Sequence, residues 1–112
     1  MKIAFTAKGT VWDSMMDPRF GRTMFIVLYD DESRTLTSFD NGVVENEAHG
    51  AGTATAQKIF ELSPDVLITG NGPGSHAVQA LKQMNMRIFA EAHDMTIKQA
   101  FEKYKKGELK EI

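Results

Sequence analysis

Residues 65–81, DVLITGNGPGSHAVQAL, decide the fold, because an apolar run there meets a glycine cluster that opens directly into a helical pattern. The apolar run VLI at 66–68 is typical of a short strand that is buried on both faces. From Ala77 to Met84, apolar residues recur at helical spacing. The stretch therefore predicts a strand, a loop and a helix, in that order.

The loop within this stretch has the composition of an anion site. Gly70, Gly72 and Gly74 allow backbone conformations that other residues rarely adopt, Asn71 lies between the first two, and Ser75 is the expected N-cap. A helix that begins here presents unpaired N–H groups and the positive end of its dipole. The phosphate-loop and dinucleotide patterns are both incomplete. A tight turn without a ligand is therefore about as well supported as an anion site.

Composition limits the class of protein. The 112 residues, 42% hydrophobic and 25% charged with a formal net charge of -2, predict a single domain over residues 1–112. The chain has no apolar run that could span a membrane and no signal-like start, so we expect a cytoplasmic protein. With no cysteine, a metal must be held by histidine, carboxylate, backbone or sulfide that it brings along. Weak acidity argues against nucleic-acid binding.

Hydrophobic periodicity predicts an α/β fold: three antiparallel strands, then helix, strand, helix, strand and helix. The expected sheet is mixed and five-stranded, with three antiparallel strands followed by two parallel ones. The charge-rich end, 102–111, is interpreted as a solvated helix end. The expected strands are 2–7, 24–29, 34–39, 66–68 and 87–89, and the expected helices are 53–62, one that follows the N-cap Ser75, and 95–105.

Strand direction brings four loops to one edge of this sheet. Right-handed crossovers place the carboxyl ends of the parallel strands together, which is where open sheets bind ligands. All three histidines, His49, His76 and His93, are expected at this edge, and Arg19 and Arg22 lie in its long first loop. Imidazole and guanidinium groups and helix N-termini would then lie together at this edge, where they could bind a metal-bearing anion.

Structural roles explain the same residues without a ligand. Any single histidine is more often an ordinary loop residue than a metal ligand. Asp94 is expected to cap the last helix. Arg19 and Arg22 could instead anchor their own loop through carboxylates such as Asp13 or Asp17.

Several segments together resemble a known family. They are the opening strand KIAF, the run DPRFGRTMFIVLYDDES, the segment AHGAGTATAQKIFE from Ala48, and the closing FEKYKKGEL. In order and spacing they resemble the dinitrogenase iron-molybdenum cofactor biosynthesis family. The resemblance implies a ribonuclease H-like sheet and a small module, used alone or attached to larger assembly proteins, that binds metal-sulfur clusters or their precursors.

The chain departs from the family pattern at three places. An inserted residue is indicated between Gly72 and Ala77. Asn85 stands where a glycine is usual, and His93 with Asp94 replaces the glycine that commonly precedes the last helix.

The first functional hypothesis is a non-enzymatic binder or carrier of an anionic metal-sulfur cluster, containing iron or molybdenum, or of its precursor. The expected partners are this cluster and cluster-assembly proteins, without membrane or nucleic acid, and the expected state is a monomer or weak dimer. The expected metal ligands are the imidazoles of His49, His76 and His93. Guanidinium groups and loop amides are expected to neutralise the negative charge of the sulfides, and they belong to Arg19, Arg22, Gly70, Asn71, Gly72, Gly74 and Ser75.

The second hypothesis is a nucleotide or phosphoester site. The loop from Gly70 to Gly74 would hold phosphate, and Glu91, after the next strand, would meet a ribose hydroxyl. A ribonuclease H-type nuclease is disfavoured, because two-metal catalysis needs clustered carboxylates and the strands at 2–7 and 66–69 have none.

Overall fold

The computed structural model describes residues 1–41 and 51–112, the residues 51–53 as backbone only. Three strands come first, and helices and strands then alternate, as the periodicity indicates. Its elements are β1 Lys2–Ala7, β2 Phe25–Asp30, β3 Thr35–Asp40, α1 Ala51–Leu62, β4 Val66–Ile68, α2 Ser75–Lys82, β5 Arg87–Ala90, α3 Ile97–Lys105 and β6 Lys110–Glu111.

The strands form one mixed sheet in the order β3-β2-β1-β4-β5-β6. Strands β1, β4 and β5 are parallel, while β2, β3 and β6 pair antiparallel with their neighbours. The predicted α/β fold with a mixed sheet and three helices is therefore confirmed for the described residues. The ribonuclease H-like character implied by the family resemblance stays a prediction.

The prediction of five strands is wrong, because Lys110–Glu111 adds a sixth strand beside β5. Two charged residues have no apolar pattern that could reveal a strand. The pairing depends instead on tertiary contacts: Arg87 donates from Nε and Nη2 to both carboxylate oxygens of Glu111, at 3.0 and 2.9 Å. The interpretation of 102–111 as a solvated helix end is correspondingly wrong from Lys110 onward.

Two helix caps also differ from expectation. Thr96, not Asp94, caps α3: its hydroxyl accepts from the Gln99 N–H at 3.1 Å, and the Gln99 side chain accepts from the Thr96 N–H at 2.9 Å. This reciprocal pair satisfies two helix-start donors at once. Ser75 is already helical, and Gly74 is the N-cap of α2.

The sheet separates two hydrophobic layers. Ile3 and Phe5 on β1 face α3 in one layer. Ala4 faces the opposite layer, where α1 and α2 pack through residues such as Ile59 and Leu81. Strand β4 is buried on both faces, as its apolar run predicts. None of the helices described here is long and apolar enough to cross a membrane.

The two residues that replace family glycines both adopt the left-handed conformation. Asn85 has φ 58° and Asp94 has φ 59°. Glycine adopts this conformation without strain, and asparagine and aspartate tolerate it better than most residues. The backbone at both positions is therefore one that suits glycine and that asparagine and aspartate can also adopt.

Candidate functional site

The carboxyl ends of three parallel strands meet at one edge of the sheet. Strands β1, β4 and β5 are neighbours in parallel register, so the loops that follow them emerge side by side. These loops are residues 8–24, 69–74 and 91–96. Open α/β sheets bind ligands at such an edge. We call it the carboxyl edge.

Asp17 organises the first of these loops. Its side chain is fully buried, and its carboxylate accepts hydrogen bonds from the backbone N–H groups of Arg19 and Met24, both at 3.0 Å. The bond from the Arg19 N–H closes the local turn that an aspartate side chain commonly forms with the backbone two residues later. The Arg19 guanidinium also donates to both oxygens, from Nε at 3.1 Å and from Nη2 at 3.2 Å. Arg19 therefore anchors its own loop through Asp17, the alternative that the sequence left open.

The first loop is joined to the glycine loop. The Asn71 N–H donates to the Pro18 carbonyl at 3.0 Å. At Gly70, an added Cβ would lie 2.5 Å from the Asp17 carbonyl oxygen and 2.6 Å from the Pro18 Cα, which only glycine avoids. The backbones of the two loops thus touch, and the Asn71 N–H, predicted to face an anion, is used to hold them together.

The rest of the glycine loop leads directly into α2. Gly72 has φ +91°, a conformation that favours glycine. Gly74 precedes the helix without a side chain to cap it, and its carbonyl accepts from the Val78 N–H at 2.9 Å. A helix start without a side-chain cap keeps donors available for another acceptor. An anion site at this part of the loop stays a prediction.

The two histidines in the described residues lie in separate surroundings. His76 is exposed in the first turn of α2 and lines a groove of about 120 Å³ between α1 and α2, with Phe60 and Met84. His93 follows β5, and its Nδ1 lies 3.2 Å from a carboxylate oxygen of Asp94. His49 lies outside the described residues. Within residues 1–41 and 51–112, no three histidine, aspartate or glutamate side chains gather as a ready-made site for one metal ion.

A buried polar network that the sequence did not reveal holds the far end of the first loop. The Asn41 side chain donates from Nδ2 to the Thr23 carbonyl and to the Thr55 hydroxyl, both at 3.1 Å. Thr55 in turn donates to the Gly21 carbonyl at 2.7 Å. Arg22 is therefore held between two anchored residues. No short-range pattern links these three polar residues, whereas Asp-Pro at 17–18 is a turn signal that could have revealed Asp17.

Glu91, the residue of the nucleotide alternative, has φ 66° and an exposed side chain. Its carboxylate lies 3.9 Å from the Lys110 ammonium group. A weak surface pair of this kind does not indicate a ribose site. The alternative gains no support from the structure.

A family model described as dinitrogenase iron-molybdenum cofactor matches residues 1–107. The chain belongs to this family. The resemblance inferred from the segments of the sequence is confirmed.

Two solved structures are similar over nearly the whole chain. One is the apo form of the orange protein from Desulfovibrio gigas, at 32% identity and a TM-score of 0.92, covering 99% of this chain and 92% of that one. The other is an NMR structure of a Thermotoga protein of the DUF35 family, for which a NifB identity is suggested. It has 26% identity and a TM-score of 0.81, and the match covers 98% of this chain and 91% of that one. A search of curated proteins finds no match.

Proposed function

We propose that this protein is a non-enzymatic binding or carrier module for an anionic metal-sulfur cluster, containing iron or molybdenum, or for its precursor. Membership of the dinitrogenase iron-molybdenum cofactor family over residues 1–107 supports a role connected with such a cofactor. The observation that most favours binding by this chain is the glycine loop, which is anchored at the carboxyl edge directly before the start of α2. The cluster is cargo in this proposal, not a resident cofactor.

The metal ligands in this proposal are imidazoles. His76 is exposed at the start of α2, beside a groove lined by Phe60 and Met84. His93 is a further candidate ligand, because Asp94 lies within reach of its Nδ1 and would orient the ring. A ligand role for His49 stays a prediction.

The negative charge of the cargo would be met by Arg22 and by the amides around Gly72, Gly74 and Ser75. The structure changes the role that we propose for Arg19. Its guanidinium is already paired with Asp17, so it contributes less net positive charge to an anion than the sequence alone predicted. Gly70 and Asn71 position the loop in the same way, through their contacts with residues 17–18.

The proposal includes no reaction. Carriers need donor atoms and compensating charge, whereas a hydrolase or transferase needs a nucleophile beside a base. Cluster-assembly proteins are the proposed partners, delivering the cargo or receiving it. The proposed location is the cytoplasm, where thiols stay reduced, consistent with a chain that lacks cysteine and has no disulfide to form.

The test is to express the protein anaerobically with ample iron and molybdate, and to measure its metal content and absorption spectrum. The same preparation is titrated with ATP and with NAD. We expect metal and sulfide in a fixed ratio, a charge-transfer absorption band, and no saturable nucleotide binding. Absence of metal together with saturable nucleotide binding would overturn the proposal in favour of the phosphoester alternative.

A further inference from the structure

A chain of buried hydrogen bonds holds the backbone on both sides of Arg22. Thr55, on α1, donates to the Gly21 carbonyl at 2.7 Å, and Asn41, directly after β3, donates from Nδ2 to the Thr23 carbonyl at 3.1 Å. The same Nδ2 donates to the Thr55 hydroxyl at 3.1 Å, so the two side chains act as one unit. We call Asn41 and Thr55 the loop clamp.

The clamp needs the hydrogen-bonding groups of these two residues. An amide nitrogen carries two protons, and Asn41 uses both of them, while the hydroxyl of Thr55 accepts one hydrogen bond and donates another. Both residues are fully buried. Hydrogen bonds in series strengthen one another in such surroundings. The clamp therefore fixes the Gly21 and Thr23 carbonyl groups with two neutral side chains.

The clamp is not the arrangement that stability alone would favour. Within the part of the chain that the structure describes, no group donates to the buried Asn41 Oδ1. A buried oxygen without a partner costs stability, and apolar groups of the same shape would avoid that cost. Residues that depart from such local rules are expected mainly at functional or strained sites. The clamp therefore points to a role in positioning the loop.

The chemistry of the clamp also suits a loop that meets an anion. The near end of the loop is held by the carboxylate of Asp17, which pairs with the Arg19 guanidinium. The far end is held by an amide and a hydroxyl, which bring no negative charge to the residues beside Arg22. Since Arg22 is half-buried, the position of its backbone determines which surface its guanidinium reaches.

We propose that Asn41 and Thr55 are positioning residues for the anionic cargo, and that they act through Arg22. This inference rests on the proposed function. In it, neither side chain touches the cargo. A loop that is already ordered loses less conformational freedom when its arginine meets an anion, so the clamp raises affinity by preorganisation.

The first experiment separates the hydroxyl of Thr55 from the general stability of α1. The probe is the molybdenum sulfide anion tetrathiomolybdate, titrated anaerobically. Thr55→Val keeps the shape but removes the hydroxyl, and it should weaken binding about threefold or more. Asn41→Leu, which removes the donors, should act in the same direction. Thr55→Ser keeps the hydroxyl and should bind within about twofold of wild type.

A matched control distinguishes positioning from a loss of stability. Ile59→Val removes a methyl group from a fully buried residue of the same helix and leaves the clamp intact. Chemical denaturation should show a loss of stability in this variant, while its affinity for tetrathiomolybdate should stay at the wild-type value. If affinity follows stability across the Thr55 and Ile59 variants, the clamp is only structural and the inference is overturned.

The second experiment asks whether Thr55 acts through Arg22. Arg22→Ala should weaken binding, and Thr55→Val should have little further effect in the Arg22→Ala protein, because the group that it positions is gone. A double-mutant cycle measures this coupling. If the two losses simply add, the clamp does not act through Arg22 and the inference is overturned.

The third experiment reads the position of Arg22 without cargo. NMR relaxation gives order parameters for the backbone N–H and the Nε–H of Arg22, and Thr55→Val should lower both, while Thr55→Ser should keep them. If wild type binds the probe but Thr55→Val neither loosens Arg22 nor weakens binding, the inference alone is overturned. If Thr55→Val loosens Arg22 but wild type binds no metal sulfide, the proposed function is overturned and the inference with it.

Discussion

Asp17 and Arg19 form an ion pair in which the carboxylate is fully buried and the guanidinium is about half exposed, with Nε 3.1 Å from Oδ1 and Nη2 3.2 Å from Oδ2. The same carboxylate accepts two backbone N–H groups. An ionised carboxylate is well solvated by such a set of donors, which is why it can be buried. The pair fixes the loop that supports Gly70 and thereby the start of the candidate site.

Replacing Asp17 by alanine should destabilise the protein by about 2–3 kcal/mol, because the N–H groups of Met24 and Arg19 and the Arg19 guanidinium would lose the carboxylate that accepts their hydrogen bonds. Chemical denaturation with circular dichroism measures the change. Asp13→Ala is the matched control in the same loop, and at this exposed position it should cost less than about 0.5 kcal/mol. Equal effects of the two substitutions would show that Asp17 does not hold the loop.

Replacing Gly70 by alanine should destabilise the protein by about 1–3 kcal/mol, because the new methyl group meets the Asp17 and Pro18 backbone and one of the loops must move. Denaturation measures the stability, and amide exchange at Asn71 reports whether its bond to the Pro18 carbonyl survives. Gly74→Ala is the control, since a Cβ at Gly74 meets nothing within 4 Å. Unchanged exchange at Asn71 in the Gly70→Ala protein would contradict the contact between the loops.

Replacing Asn85 by glycine should stabilise the protein by up to about 1 kcal/mol, because φ 58° is strained for residues with a Cβ and unstrained for glycine. A thermal melt measures it. Gln79→Gly, inside α2, is the control and should destabilise by about 1 kcal/mol. Equal losses at both positions would mean that the conformation of Asn85 gives no advantage to glycine.

Protonation of Glu111 should loosen β6. The hydrogen bond from Arg87, together with its charge, lowers the pKa of Glu111. A lowered pKa means that the contribution to stability is present above the ordinary glutamate pKa and is lost as the pH falls through the folded-state pKa. Exchange of the Ile112 N–H, which donates to the Ile88 carbonyl at 2.9 Å, should therefore accelerate in acid relative to its intrinsic rate. Glu111→Gln should remove this pH dependence, whereas Glu108→Gln should retain it.

The fold could be predicted from the sequence where burial against the sheet gives the apolar residues a regular spacing. The apolar run at β4 and the spacing of apolar residues in α3 follow directly from burial on one or both sides. Strand β6 could not be predicted, because two charged residues are held by Arg87 and by the ladder with β5, which are tertiary contacts. The Thr96 cap was missed although Gln99 stands at the capping-box spacing.

The candidate site was less predictable, because its geometry depends on contacts between residues distant in sequence. The sequence indicated which loops share the carboxyl edge, since strand direction determines that. It did not establish that Arg19 is paired with Asp17, because this pairing depends on the burial of Asp17. It also assigned the Asn71 N–H to an anion, whereas a loop more than 50 residues earlier in the chain accepts its hydrogen bond.

The last prediction separates metal coordination from charge at the carboxyl edge, and it uses the anaerobically loaded protein. His76→Ala should remove a coordination bond, so metal loading should fall at every ionic strength and the absorption spectrum should change. Arg22→Ala should lower affinity while leaving the spectrum similar, and added salt should reduce the difference from wild type, because screening weakens the wild-type attraction as well. Arg19→Ala should mainly lower stability, because its charge is paired with Asp17. Gln79→Ala is the control on α2 and should load normally. If the His76, Arg22 and Arg19 variants all load as wild type does, the carboxyl edge is not the binding site, and the chain shares the fold of its family without using that edge for cargo.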